Sequence, residues 1–99
     1  MIQKDDILNF LAERKAELFT EYNLVKIGLF GSFACNEGKA NSDIDLLIEF
    51  QPDTKNLSEK KAGLEALVKE QFGREVDVCR EKYIKPYFRK SILQSAIYV

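Results

Sequence analysis

Residues 24–50 read LVKIGLFGSFACNEGKANSDIDLLIEF, and the fold of the chain turns on this stretch. It opens with the apolar run Leu24–Phe30, which stops at Gly31-Ser32 and predicts a buried strand feeding a turn. It closes with Asp43–Phe50 (DIDLLIEF), which predicts a second strand. Gln51-Pro52-Asp53 ends that strand, because proline cannot continue the ladder. Between the two, residues 33–42 (FACNEGKANS) gather Asn36, Gly38, Asn41 and Ser42, which suit a short helical turn followed by a loop.

Side chains alternate faces along a strand. Asp43 and Asp45 therefore point the same way, about 6–7 Å apart along the chain, while Ile44 and Leu46 turn towards the core. Two carboxylates held this close repel unless a cation neutralises them, and oxygen-only ligation is what magnesium prefers. Gly31-Ser32 lies where a strand gives way to a helical turn, so its backbone N–H groups and the Ser32 hydroxyl have little steric cover. That arrangement suits a phosphate chain. Each feature has an ordinary reading on its own: Asp-x-Asp as solvated strand-end charge, Gly-Ser as a turn.

Outward from this stretch, Asp5 to Tyr22 places Ile7, Leu8, Leu11, Leu18, Phe19 and Tyr22 on one stripe and predicts an amphipathic helix capped by Asp5 or Asp6. Ser58 is the predicted N-cap of a helix through Phe72 closed by Gly73. Arg74–Arg80 (REVDVCR) alternates and predicts a third strand. It carries Asp77 between Val76 and Val78, where an unpaired charge is costly to bury. Asp77 either reaches the ion held by Asp43 and Asp45 or pairs with Arg74 or Arg80. A last helix follows Pro86, with Phe88, Ile92, Leu93, Ala96 and Ile97 as its apolar face. Tyr83, Tyr87 and Tyr98 surround that helix, either as core packing or as an aromatic contact surface.

The expected architecture is α+β: one domain over residues 1–99, a small mixed sheet flanked by helices, with the three aspartates at one rim beside Ser32. Ninety-nine residues with 45% hydrophobic and 31% charged content suit one core. They leave little for a separate substrate domain, so a large acceptor is expected to bring its own recognition surface. A net charge of −1, from 15 Lys plus Arg against 16 Asp plus Glu, gives no field for stable nucleic-acid binding. With no apolar run long enough to span a bilayer and no leader pattern, a soluble, cytoplasmic protein is expected. Two cysteines, Cys35 and Cys79, make neither a disulfide scaffold nor a zinc cluster. The absence of histidine excludes imidazole chemistry.

Gly31-Ser32, ten residues, then Asp43-Ile44-Asp45 resembles the signature of the DNA polymerase β-type nucleotidyltransferase superfamily. The whole chain, including the GREVDV stretch with Asp77 and the closing KPYFRKSILQSAIYV, is similar to the minimal nucleotidyltransferases, the MntA-like antitoxins paired with HEPN toxins. The resemblance implies a polymerase β-like fold in which Asp43 and Asp45 bind two Mg2+ ions. It further implies that Asp77 binds the catalytic ion and helps activate the acceptor hydroxyl, and that Gly31 and Ser32 hold the triphosphate of ATP. The implied activity is transfer of AMP from ATP to a tyrosine of the HEPN toxin. In one respect the chain departs from many relatives: Cys35-Asn36 stands where they carry Arg-Gly. That leaves Lys39 or another group to serve the triphosphate, with Cys35 expected to pack as a small apolar residue.

Two other readings stay open. One is adenylylation of an antibiotic or metabolite, with an acceptor pocket completed by a homo-oligomer. The other is a non-catalytic antitoxin that masks its partner by contact alone.

Overall fold

The computed structural model describes residues 2–35 and 42–99. The two strands of the opening stretch form its centre. β1 (Leu24–Phe30) pairs antiparallel with β2 (Ile44–Phe50), β2 pairs parallel with β3 (Val76–Arg80), and β4 (Ile97–Tyr98) joins the free side of β1 antiparallel. The strand order is β3-β2-β1-β4, a mixed sheet as expected. Among the described residues five α-helices accompany it: α1 (Lys4–Glu13), α2 (Lys15–Tyr22), α3 (Gly31–Ala34), α4 (Leu57–Phe72) and α5 (Pro86–Ser95).

Alternation along the strands divides the sheet into two unlike faces. Ile27, Leu29, Ile44, Leu46, Ile48 and Val78 share one face and pack against Ile7 and Leu11 of α1, Leu18 of α2, and Leu64 and Val68 of α4. The other face carries Asp45, Glu49 and Asp77. A single turn of 3-10 helix (Glu81–Tyr83) follows β3, and α5 packs against β1 and α3. No helix among the described residues is long and apolar enough to cross a membrane.

Several boundaries differ from the sequence expectation: Gln3, not Asp5 or Asp6, is the N-cap of the first helix, and β2 begins at Ile44 instead of Asp43. The helix expected over residues 5–22 bends at Arg14 (φ −102°, ψ 9°) into α1 and α2, and Leu11 and Leu18 on either side of the bend are both fully buried. The N-cap of α4 is Asn56 in the left-handed region (φ 59°), which places Ser58 inside the first turn. The third strand begins at Val76 instead of Arg74.

The largest difference is at the last helix, which ends at Ser95 and leaves Ile97 and Tyr98 to form β4. Ladder bonds reward that exchange: the Val99 N–H donates to the Ile27 carbonyl at 3.1 Å. Gly28 makes room for it, because a Cβ there would lie 2.9 Å from both the Ile97 carbonyl oxygen and Tyr98 Cδ1.

Gly28→Ala is therefore expected to push β4 off the sheet and destabilise the fold by about 1–3 kcal/mol. Urea unfolding reads the stability, and amide exchange reads the strand. The Val99 amide should exchange much faster while amides of β2 keep their protection relative to global unfolding. Unchanged exchange at Val99 would contradict the assigned role of Gly28.

Candidate active site

Phe30, Asp45 and Asp77 stand opposite one another across β1, β2 and β3. In-register neighbours on parallel strands point to the same side at about the 4.8 Å strand spacing. Asp45 and Asp77 are thus side by side, as expected if they share a ligand. Asp43 is exposed and lies just before β2, whose first amide, Ile44 N–H, donates to the Glu75 carbonyl at 2.9 Å. The rim therefore brings Asp45 and Asp77 together, with Asp43 two residues away.

Asp45 is half-buried, and its carboxyl is pushed up to about 6 from 3.8. Burial is the main cause, followed by the charges of Asp77 and then Asp43. A cation at this rim would reverse the balance, and the donors on offer are carboxylate oxygens of the kind magnesium takes. As the side chains stand, no three His, Cys, Asp or Glu groups among the described residues converge into a metal cage.

Asp77 differs from its sequence picture. β3 is an edge strand, and Asp77 is exposed to solvent instead of sunk among its valines. Arg80, one of its two candidate partners, is held by Glu49, with Nε and Nη2 donating to Glu49 Oε2 at 2.9 and 2.8 Å.

Gly31 and Ser32 begin α3, a single turn anchored by the buried Phe33 and Ala34. Gly31 has φ +76°, and a Cβ there would fall on Asp45 Oδ2, with Asp45 Cγ 3.1 Å away. Only glycine lets the turn close against the carboxylate. The first N–H groups of α3 are therefore presented beside Asp45, and Ser32 is partly exposed. Cys35 is exposed and does not pack as the small apolar residue expected. Asn36 and Lys39 lie outside the described residues.

Sequence reasoning missed two acidic clamps. Glu49 holds Arg80 and also accepts from the Lys82 N–H at 3.2 Å. Glu81 accepts from Lys26 Nζ at 3.0 Å and Tyr98 Oη at 2.9 Å, and lies 3.5 Å from Arg89 Nη2. The Lys26 bond in particular keeps the Glu81 carboxyl below its usual range. Burial, with the bond to Glu81, pushes the Tyr98 phenol up to about 12. Glu49 could have been found from alternation, since it lies four residues beyond Asp45 on the same face. The partners of Glu81 are far away in sequence and gave no signal. Of the three tyrosines, Tyr98 is tied down, whereas Tyr83 and Tyr87 are 67% and 89% exposed.

Residues 7–99 match the nucleotidyltransferase domain family. The chain is 32% identical over 101 residues to the protein adenylyltransferase MntA of Thermococcus cleftensis, covering 100% of this chain and 98% of that one. It is 38% identical to a Methanocaldococcus jannaschii protein named provisionally as a protein adenylyltransferase, over 95% of each chain. A solved structure described provisionally as a minimal nucleotidyltransferase superposes with a TM-score of 0.75 at 28% identity, over 97% of this chain and 95% of that one. A crystal structure of a toxin–antitoxin with AMP-PNP shares the fold, with a TM-score of 0.67 at 18% identity, over 87% of this chain and 69% of that one.

Burial and charge crowding at Asp45 have a consequence for stability. Its carboxyl binds a proton more tightly folded than unfolded, so its own contribution to stability is fully present below pH 4 and is lost as pH rises from about 4 to about 6. Asp45→Asn should remove that segment of the pH profile. In metal-free buffer at pH 7 it should stabilise the fold by about 1 kcal/mol, a figure discounted for solvent screening, which is about 5 °C in Tm. Thermal melts from pH 3.5 to 7.5 read this, and identical profiles for the two proteins would contradict it.

Proposed function

The chain belongs to the nucleotidyltransferase domain family, and we propose that it moves AMP from ATP onto a hydroxyl of a partner protein, a tyrosine of a HEPN-type toxin, acting as that toxin's antitoxin. The observation that carries this reading is the in-register pairing of Asp45 with Asp77 against the Gly31 turn. It sets carboxylates and free N–H groups on one rim. Full-length similarity to a protein adenylyltransferase supports a protein acceptor.

In this reading Asp43, Asp45 and Asp77 are the residues that would hold two magnesium ions. Bound there, such ions supply charge neutralisation for the triphosphate and the departing pyrophosphate. The N–H groups at Gly31 and Ser32, with the Ser32 hydroxyl, hold the phosphate chain. The acceptor oxygen attacks the α-phosphorus, the bond to the bridging α–β oxygen breaks and pyrophosphate leaves. Asp77, exposed on the edge strand, receives the proton of the attacking hydroxyl in this reading. No imidazole is needed, and the chain has none.

The test mixes the protein with the product of the adjacent gene, ATP labelled at the α-phosphate, and magnesium. A gain of one AMP on a tyrosine of the partner is the expected result by mass spectrometry. Asp43→Asn combined with Asp45→Asn should cut transfer by at least about 10^2–10^3-fold with the fold intact. Ser32→Ala should cost only about tenfold, because the backbone donors remain. Wild-type transfer by the double variant would refute the assignment, and label on a small molecule with none on the partner would refute the protein acceptor.

A further inference from the structure

A cavity of about 490 Å³ opens beside the carboxylate rim, and nothing in the proposed chemistry yet uses it. Phe30 and Cys79 form its inner end. Phe30 is the register partner of Asp45, and Cys79 lies two residues beyond Asp77 on the same sheet face. Phe88 and Ile92 of α5 make its apolar wall, and Lys61 and Lys85 contribute its free charge. Neither lysine forms a salt bridge among the described residues, whereas Arg80, the other cation that the described residues place there, is neutralised by Glu49. Among the described residues, no carboxylate lines the cavity.

The outer wall continues the same chemistry. Five of the eleven residues from Arg80 to Lys90 are cationic and one is anionic, in a chain whose net charge is −1. Phe88 is 52% exposed at the mouth, beside the still more exposed Tyr83 and Tyr87. An aromatic and cationic lining of this kind is complementary to an apolar side chain flanked by acidic residues. Position selects the role. The Gly31 turn lies at the β1 side of Asp45 and Asp77 at the β3 side; the cavity runs from Phe30, with α5 over its β1 side, across Cys79 and Arg80 of β3 to the first turns of α4. Its β3 end, with Lys61, lies on the Asp77 side, from which the acceptor hydroxyl comes in the reading above.

We propose that this cavity is the acceptor subsite: it takes an apolar or aromatic side chain from an acidic segment of the acceptor protein, whose carboxylates lie against Lys61 and Lys85. The assignment rests on the protein-acceptor reading above. Glu81 gives the subsite its shape, since it ties Lys26 and Tyr98 on the sheet to Arg89 on α5 and so holds the Phe88–Ile92 wall in place.

Two peptides serve as probes, acetyl-EEYLEE-amide and its charge-reversed counterpart acetyl-KKYLKK-amide, titrated into the 15N-labelled full chain. The acidic peptide should shift the amides of Cys79, Ile84, Phe88 and Ile92, and the basic peptide should not. The double variant Lys61→Glu/Lys85→Glu, altered only at polar positions, should weaken the acidic peptide by about tenfold and leave ATP binding unchanged. Four results overturn the subsite: no shift from either peptide, equal binding of both, unchanged affinity in the double variant, or the same amides responding to adenosine instead. Binding is read here without turnover. Acidic-peptide binding in a protein that transfers no AMP supports the subsite and removes the activity. Transfer to a protein hydroxyl that is indifferent to Lys61 and Lys85 does the opposite.

Discussion

The rim of this molecule depends on the register at which β3 pairs with β2. Asp45 and Asp77 share a face because the two strands run parallel with those residues opposite. A slip of one position would turn Asp77 into the core and Val76 and Val78 out to water. The buried Val78 resists that slip from the core side. The Ile44–Glu75 backbone bond holds one end of the pairing, and the Glu49–Arg80 pair holds the other. Apolar burial thus keeps two like charges together that would separate in a free peptide. Burial and those like charges together disfavour the charged form of the Asp45 carboxyl.

The same logic extends to the neighbouring elements. Gly31 touches Asp45 at a positive φ that suits glycine, so the turn that offers backbone donors and the carboxylate that offers oxygens are positioned by one contact. On the opposite side, Glu49 and Glu81 fasten the segment that leaves β3, one to the end of its own strand and the other to β1 and β4. Charge and side-chain hydrogen bonding therefore concentrate on one face of the sheet. The other face is apolar and carries the core.

Much of this was legible in the sequence because local patterns report local geometry. Strand alternation placed Asp43, Asp45 and Asp77 on candidate faces, and Gly31-Ser32 after an apolar run marked the turn. The order of strands and helices followed from periodicity and from Pro52, Gly73 and Pro86. What was not legible depends on partners distant in the chain. β4 exists because Gly28, some seventy residues earlier, leaves space for Tyr98, while the local pattern of Ala96 and Ile97 continued the α5 stripe. Asp77 is exposed because β3 is an edge strand, which no single strand reveals about itself. The Glu81 clamp joins residues 26, 89 and 98, and the cavity is built from β1, β3, α4 and α5 together.

The proposed function rests on Asp45 and Asp77 holding a cation against the Gly31 turn. The most direct measurement is a carbon-13 NMR titration of the Asp45 side-chain carboxyl, with and without magnesium and a non-hydrolysable ATP analogue. The account predicts a midpoint near pH 6 in the apo protein, falling to the ordinary carboxylate range or below when both are present. A midpoint that stays where it was, with magnesium and nucleotide present in excess, would contradict it.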